Sequence, residues 1–204
     1  MTHSPSATAN DSRTTVPFTR LADYLETHAP SPLRLHLACG GVRLRGFVNV
    51  DLHPHDPTTS DTSRSGCVAD ALADIRQLDL ANDSVDEMFC SHALEHFVRW
   101  EALAMLEDWH RMLKHGGRLV IETPDFWRCV FWLFHPRAAR RRVARNQFYG
   151  NQWDRLHYET HRYVWSGREL CRALRHDVGF RSVTLSHRTQ THYPGRDMRV
   201  TAVK

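Results

Sequence analysis

The stretch Leu35-His36-Leu37-Ala38-Cys39-Gly40-Gly41 decides the fold, together with Phe47-Val48-Asn49-Val50-Asp51 shortly after it. Each begins with an apolar run that predicts a short buried strand. The first run ends in two glycines, which have no Cβ and let a ligand lie against the backbone amides. The second ends in a carboxylate, which can accept hydrogen bonds from both hydroxyls of a ribose. The pair predicts a nucleoside-containing cofactor over the carboxyl ends of parallel strands.

The rest of the chain alternates between strand patterns and helix patterns. The predicted strands are 33–38, 47–52, 85–90, 118–122, 182–186 and 198–203, and the predicted helices are 18–28, 100–113 and 166–176. Residues 68–72 are only weakly patterned. Lys114–Gly117 is predicted to form the C-cap and turn of the second helix. Ser166 and Glu169 are predicted to open the third helix as a capping box. This alternation predicts an α/β fold with a mostly parallel sheet and an antiparallel edge from the terminal strands.

Length, composition and cysteine usage narrow the class of protein. The 204 residues suffice for one α/β domain, predicted over 17–204, after a polar leader over 1–16 that is expected to be disordered. No apolar run is long enough for a transmembrane helix, so no membrane partner is expected. The five scattered cysteines are odd in number and include no C-x-x-C pair. They disfavour a disulfide framework and favour a reducing, cytoplasmic location.

Seven motifs follow one another between residues 33 and 204. They are Leu35–Gly41, Val48–Asp51, Asp74–Leu78, Asn82–Asp86, Leu94–His96, Leu113–Gly117 and Gly179-Phe180. Their order and spacing resemble the class I S-adenosylmethionine-dependent methyltransferases, and more narrowly the small bacterial enzymes associated with glycan and secondary-metabolite pathways. The resemblance implies a Rossmann-like fold with a seven-stranded, mostly parallel sheet and helices on both faces. It also implies S-adenosylmethionine as the cofactor.

The resemblance assigns cofactor contacts to residues at the ends of the first four strands. They are Ala38, Cys39, Gly40 and Gly41 for the methionine moiety, Asp51 and Leu52 for the ribose, Asp74 and Ile75 for the adenine, and Ser91 at the end of the fourth strand of the family pattern. Asp70 competes with Asp74, because Ala69-Asp70 and Ala73-Asp74 look alike.

The first strand and its link depart from the usual pattern. His36 stands where an acid is expected. The link to Asp51 is shorter than the roughly twenty residues typical of dinucleotide folds. The first crossover is therefore predicted to be a loop or a single turn rather than a helix.

Two histidines are candidates for the proton acceptor. Methyl transfer to a hydroxyl or amine needs a group that removes a proton, and histidine titrates near neutral pH. His92 follows the fourth strand and is the first candidate base; His96 is the second. The alternative for His96 is an architectural role, because Leu94-Glu95-His96 opens a helix.

Residues 126–165 combine aromatic side chains with arginines and are predicted to form a substrate lid. Aromatic faces stack on sugars or flat rings, and arginine binds phosphate or carboxylate. The predicted acceptor-binding residues are Asp125, Phe126, Trp127, His157, His161 and Arg162. The alternative for 137–145 is the solvated basic face of a helix pair.

Two histidine pairs have the spacing of zinc ligands on a helix, namely His92 with His96 and His157 with His161. Neither pair has a third ligand of certain position, so no metal site is predicted.

The leading function is methyl transfer to a hydroxyl or amine of a small molecule such as a sugar, a nucleotide-sugar or a natural product. One alternative is an enzyme of the same fold without methyl transfer, acting in hydrolysis or cyclisation. The second is RNA methylation, suggested by the basic, aromatic insertion. A nucleic-acid partner is disfavoured, because Phe89–His92 does not resemble the Asn-Pro-Pro-Tyr tetrad of amino-methylating enzymes. The oligomeric state stays open, and a homodimer is compatible with the sequence.

Overall fold

A single seven-stranded sheet organises the computed structural model, which describes residues 19–52, 68–150, 160–190 and 195–204. The strands are β1 (Arg34–Leu37), β2 (Val48–Asp51), β3 (Ala71–Leu72), β4 (Val85–Ser91), β5 (Leu113–Pro124), β6 (Ser182–Ser186) and β7 (Asp197–Val203). The α-helices are α1 (Leu21–His28), α2 (Arg99–Met112), α3 (Phe126–Leu133), α4 (Ala138–Tyr149) and α5 (Gly167–Arg172). A 3-10 turn covers Leu94–His96, and a π-helical turn covers Ala173–Val178.

The strand order is β3-β2-β1-β4-β5-β7-β6. Strands β1 to β5 are parallel, and β7 runs antiparallel to both β5 and β6. The order in which the parallel strands are added reverses between β1 and β4. Ligands of open α/β sheets bind in the crevice at such a switch point. The predicted α/β class, the parallel body and the antiparallel edge are confirmed.

Most residues of the central strands β1 and β4 are buried, because a parallel sheet is covered on both faces. In β1, Leu35 and Leu37 are completely buried. Helix α2 buries Ala102, Met105, Leu106, Trp109 and Met112, which recur at helical spacing along one face. This packing fixes the ends of β1 and β4, and with them the residues that follow.

The link between β1 and β2 is short, as predicted. Residues 38–47, all within the described part of the chain, contain turns but no helix. The polypeptide therefore returns to the sheet edge directly, and the glycine motif stays beside the end of β2.

The predicted C-cap at Lys114–Gly117 is wrong. Helix α2 ends at Met112, and Leu113 is already extended and pairs with Val85. The last carbonyls of the helix do not need a left-handed glycine because other groups bind them. The Ser84 amide donates to the Met112 carbonyl at 2.9 Å, and the Lys204 ammonium donates to Leu113 at 2.8 Å.

Smaller differences concern β3 and α5. Strand β3 has two residues, too few for a sequence pattern. Ser166 caps α5 by accepting from the Glu169 amide at 3.3 Å. The Glu169 carboxylate does not complete the capping box but contacts Arg99 and Tyr163. The predicted leader and the predicted first residue of α1, Phe18, lie outside the described residues.

A membrane-spanning helix would need more length and more apolar character than any helix in the described part of the chain has.

Candidate active site

The glycine motif and the acid after β2 contact each other directly. The Asp51 carboxylate accepts from the Gly40 amide at 2.7 Å through one oxygen and from the Leu52 amide at 2.8 Å through the other. Gly40 has a φ of +50°, and a Cβ added there would meet no atom within 4 Å. Open space therefore lies beside the loop, where a ligand can approach the backbone. Leu52 is 46% exposed next to this carboxylate.

A buried polar cluster holds the loop between β1 and β2 in place. Asn49 is completely buried, and its side-chain oxygen accepts from His36 Nδ1 at 3.0 Å and from the Leu44 amide at 2.9 Å. The Asn49 amide group donates to Asp70 at 2.9 Å, and Arg43 binds the same carboxylate. His36 thus stabilises the loop between β1 and β2 and does not face a ligand. This role explains why a histidine stands where the family pattern has an acid.

The two candidates for the adenine contact have different surroundings. Asp70 receives the hydrogen bonds of Asn49 and Arg43, which hold the pKa of its carboxyl below the ordinary value in spite of desolvation. Asp74 lies nearer the surface and forms an ion pair with Arg76 at 2.6 Å. Ile75 is buried, and its carbonyl accepts from the Trp109 indole at 2.9 Å. Asp74 is therefore better placed than Asp70 to meet a ligand.

Strands β1 and β4 end in similar backbone conformations. Ala38 and His92 both have left-handed φ values, +53° and +52°. Such values are uncommon outside glycine and cluster at functional sites. Because Leu37 pairs with Cys90, the two strained residues follow neighbouring strand ends. Cys39 is buried beside Ala38, while Gly41 is exposed and Ser91 is half-buried.

His92 is held by carboxylates at both ring nitrogens. Its Nδ1 lies 3.1 Å from Glu95 Oε1, and its Nε2 lies 3.0 Å from Asp197 Oδ2. Burial disfavours the charged ring, but the hydrogen bonds to Asp197 and Glu95 outweigh it and raise the pKa of His92 to about 9. This geometry favours a protonated His92 that joins the end of β4 to the start of β7. Because a protonated ring cannot accept another proton, it disfavours His92 as the catalytic base.

Glu95 joins the core to the end of the predicted lid, residues 126–165. Its carboxylate is completely buried and accepts from the Thr123 hydroxyl at 3.0 Å. Its backbone carbonyl accepts from the Arg162 amide at 2.8 Å and the Tyr163 amide at 3.2 Å. Although burial favours the neutral acid, His92 holds the pKa of Glu95 far below its ordinary value. Glu95 is thus a buried carboxylate with contacts on three sides.

His96 lies against His161 and not against His92. The two rings meet edge to face with centroids 4.8 Å apart, and His161 Nδ1 lies 2.7 Å from the Gln147 carbonyl oxygen. Burial lowers the pKa of His96. The structure thus brings together one member of each histidine pair noted in the sequence. His157 lies outside the described residues.

Asp125 is a structural cap in this arrangement. One carboxylate oxygen accepts from the Arg128 amide and the other from the Gly167 amide, both at 3.0 Å. The residue is 5% exposed. These contacts fix the start of α3 against the start of α5 and leave Asp125 poorly placed to bind an acceptor.

Three other predicted acceptor-binding residues share one cavity. Phe126, Trp127 and Arg162 line a space of about 460 Å³ with Phe148, Tyr163 and Glu169 among its other walls. The Phe126 ring meets Trp127 and Phe148 edge to face at 5.1 and 5.7 Å. The cavity offers aromatic walls together with one cation and one carboxylate.

Asp197, Glu95 and Glu122 are buried acids of this region that the sequence reasoning did not select. Glu122 is the β5 partner of Ser91, and its backbone carbonyl accepts from the His92 amide at 2.8 Å. A signal existed for Asp197: it opens the last strand, which runs antiparallel. The start of such a strand lies at the same edge of the sheet as the carboxyl ends of β4 and β5.

Comparison with known proteins places this arrangement in a family. A protein family described as a methyltransferase domain matches residues 28–185. The chain belongs to this methyltransferase domain family. The family and the strand order together make it a class I S-adenosylmethionine-dependent methyltransferase. A search of curated proteins gives no match.

Solved structures share the fold at low identity. A S-adenosylmethionine-dependent methyltransferase from Archaeoglobus fulgidus is 14% identical over 88% of this chain and 91% of its own, with a TM-score of 0.53. A methyltransferase from Mesorhizobium loti is 17% identical over 88% and 95%, with a TM-score of 0.52. The Burkholderia thailandensis 1,6-didemethyltoxoflavin-N1-methyltransferase, solved with its substrate and S-adenosylhomocysteine, is 17% identical over 88% and 74%, with a TM-score of 0.53.

Proposed function

We propose that this methyltransferase transfers a methyl group from S-adenosylmethionine to a hydroxyl or amine of a small, ring-bearing molecule such as a sugar, a nucleotide-sugar or a natural product. The observation that carries the proposal is the contact between Asp51 and Gly40 at the ends of two parallel strands. It places a carboxylate and a Cβ-free backbone side by side, next to open space.

The residues at these strand ends fit the cofactor. Ala38, Cys39, Gly40 and Gly41 would line the methionine moiety with backbone, and Asp51 would accept from the ribose hydroxyls. The exposed Leu52 side chain offers an apolar surface beside that carboxylate. Asp74 and Ile75 would lie at the adenine, and Ser91 at the end of β4. When bound, S-adenosylmethionine supplies an electrophilic methyl group on a sulfonium.

The acceptor would enter the cavity lined by Phe126, Trp127 and Arg162. Aromatic walls favour a flat or sugar ring, and the guanidinium favours a carboxylate or phosphate on it. The Burkholderia relative acts, by its name, on a nitrogen of a ring compound, which supports an acceptor of this size. Residues 126–165 would form the lid of the site, within a single domain over 17–204.

His92 is proposed as a positioning residue. Both of its ring nitrogens face carboxylates, so it holds the end of β4 against Asp197 and Glu95. The chain's own contribution to the reaction is then to bind and align the acceptor and to exclude water from it, which converts a bimolecular encounter into an oriented one.

RNA methylation is a second candidate that one observation favours. Helix α4 and its N-cap residue expose five arginines next to exposed aromatic side chains of α3 and its C-cap residue. The arginines are Arg137, Arg140, Arg141, Arg142 and Arg145, and the aromatic residues are Trp127, Phe131 and Phe134. Such a surface suits a nucleic-acid backbone with stacked bases. Binding of RNA that falls steeply with salt would favour this candidate.

A cytoplasmic location and a place in a biosynthetic, secondary-metabolite pathway belong to the same proposal. Cys90, Cys129 and Cys171 are buried free thiols, which is typical of a reducing compartment.

The experiment is a transfer assay with S-adenosylmethionine labelled on its methyl group and a panel of sugars, nucleotide-sugars and heteroaromatic amines. The proposal predicts label in one class of acceptor and release of S-adenosylhomocysteine. Turnover of an acceptor without release of S-adenosylhomocysteine would contradict it.

A further inference from the structure

Glu95, His96 and His161 form a compact group of potential metal ligands. One ligand atom from each residue lies within 4.8 Å of the other two. Two of these residues belong to the 3-10 turn after β4, and the third belongs to the segment that returns from α4. The sequence contains two histidine pairs without an identifiable third ligand. In the fold, one histidine of each pair, His96 and His161, lies close to the carboxylate of Glu95.

The hydrogen bond of His161 fixes which of its nitrogens is available. Nδ1 lies 2.7 Å from the Gln147 carbonyl oxygen. A carbonyl oxygen only accepts, so Nδ1 carries the proton and Nε2 carries a lone pair. Metal-binding histidines almost always donate their other N–H to a carbonyl or carboxylate in this way.

His96 presents a buried nitrogen without a partner. Its Nδ1 is shielded from solvent and has no hydrogen bond. Leaving a buried polar atom unsatisfied is costly, so native structures rarely do so without a reason. A metal ion bound at Nδ1 would satisfy it.

The Glu95 carboxylate is oriented from outside the group. Thr123 donates to Oε2 at 3.0 Å, and His92 Nδ1 faces Oε1 at 3.1 Å. A carboxylate has about four lone-pair sites, so these two contacts leave others for a ligand bond. It would add one charged oxygen ligand to two neutral imidazoles.

From this geometry we propose that Glu95, His96 and His161 bind a divalent first-row transition metal, with Zn²⁺ as the ion that fits best. Imidazole and carboxylate suit Zn²⁺, whereas Mg²⁺ and Ca²⁺ prefer oxygen ligands alone. Bonds of about 2.0–2.2 Å would draw the three groups closer together. Three protein ligands leave a further position of the metal open.

The metal would fasten the lid segment to the core. His161 lies near the end of the segment 126–165, and its neighbours Arg162 and Tyr163 already bind the Glu95 carbonyl through their amides. A metal bond through His161 would add a side-chain link beside these two backbone links. The site does not depend on methyl transfer or on the identity of the acceptor.

The test is metal titration of the full chain after removal of metal with a chelator. Zn²⁺ binding is measured against a chromophoric competitor, and the bound metal is counted by mass spectrometry. The variants are His96→Ala, His161→Ala and the more conservative His161→Gln. His110→Ala is the matched control: its ring also meets a neighbour edge to face, Phe180 at 4.7 Å, but it belongs to no such three-residue group in the described part of the chain.

The proposal predicts one tightly bound Zn²⁺ in the wild type and in His110→Ala. It predicts affinity lower by at least about tenfold in the His96 and His161 variants, with circular dichroism used to select the folded ones. Equal affinity in all folded variants would identify an adventitious ion only and overturn the proposal. Absence of stoichiometric binding in the wild type would also overturn it, whatever the result of the transfer assay.

Discussion

His92 and Asp197 are 105 residues apart in the chain, yet His92 Nε2 lies 3.0 Å from the Asp197 carboxylate. His92 follows β4 and Asp197 opens β7, so the contact joins the middle of the chain to its last strand. Glu95 faces the other nitrogen of the same ring. One imidazolium therefore bridges two buried acids, and Arg196 supplies a second positive charge to Asp197.

Substitution His92→Ala is expected to destabilise the protein strongly. It leaves the carboxylates of Glu95 and Asp197 buried without this partner, and removing one member of a buried ion pair costs about 3–5 kcal/mol. The measurement is urea unfolding of both proteins. His110→Ala, which removes a histidine without such contacts to carboxylates, should lose less. A His92→Ala protein as stable as the wild type but without turnover would contradict the positioning role and favour a catalytic base.

His36 is expected to make the free energy of unfolding depend on pH. Burial lowers its pKa in the folded state, against the hydrogen bond to Asn49 and the charge of Asp51. At a pH below about 6.5, His36 is protonated in the unfolded chain, whereas in the folded protein it binds the proton less tightly. Protonation therefore favours the unfolded state, and the free energy of unfolding decreases as the pH falls. His36→Gln should make the loss of stability between pH 7 and pH 5 smaller.

The measurement for His36 is the free energy of unfolding in urea at several pH values. His28→Gln is the control, because His28 is exposed and its replacement should leave the pH dependence as it is in the wild type. A His36→Gln protein with the wild-type pH dependence would show that His36 does not contribute to it.

Asp125→Ala is expected to lower stability by about 1–3 kcal/mol, because it leaves the amides of Arg128 and Gly167 without their acceptor. Ser166→Ala is the comparison, since Ser166 accepts one hydrogen bond at 3.3 Å and should cost about 1 kcal/mol. Thermal unfolding of both variants gives the answer. If Asp125→Ala left the stability unchanged but raised the KM for the acceptor, Asp125 would instead be a substrate-binding residue, as the sequence predicted.

Trp127→Ala is expected to raise the KM for the acceptor severalfold and to leave cofactor affinity unchanged. Trp127 lines the cavity assigned to the acceptor, and base–aromatic or sugar–aromatic stacking requires its face. Trp100→Ala is the control, because that residue is 73% exposed on α2 and does not line the cavity. Equal KM values in the two variants would contradict the assignment of this cavity to the acceptor.

Local patterns in the sequence predict most of the sheet. The run Leu35–Leu37 is recognisable because apolar residues predominate in it, and Ser182–Ser186 because every second residue is apolar. The short link to Asp51 also follows from counting residues. The proposed cofactor contacts at Gly40 and Asp51 can therefore be predicted from one contiguous stretch of sequence.

Contacts between distant parts of the chain are beyond such patterns. The helix end at Met112 is closed by Lys204 and not by a local glycine, and His92 meets an acid from the last strand. The pairing of His96 with His161 depends on how residues 126–165 return to the core. Only the fold reveals which of the fifteen histidines of the chain become neighbours.

The most direct test of the account is calorimetric titration with S-adenosylmethionine and S-adenosylhomocysteine, in the wild type and in Asp51→Ala. Asp23→Ala, an exposed acid on α1, is the control. We predict binding of both ligands to the wild type and the control, and a loss of about tenfold or more in Asp51→Ala, because each hydrogen bond to a charged acceptor is worth about 1.5–3 kcal/mol. Equal affinity in Asp51→Ala, or no binding of either ligand to the wild type, would contradict the central claim.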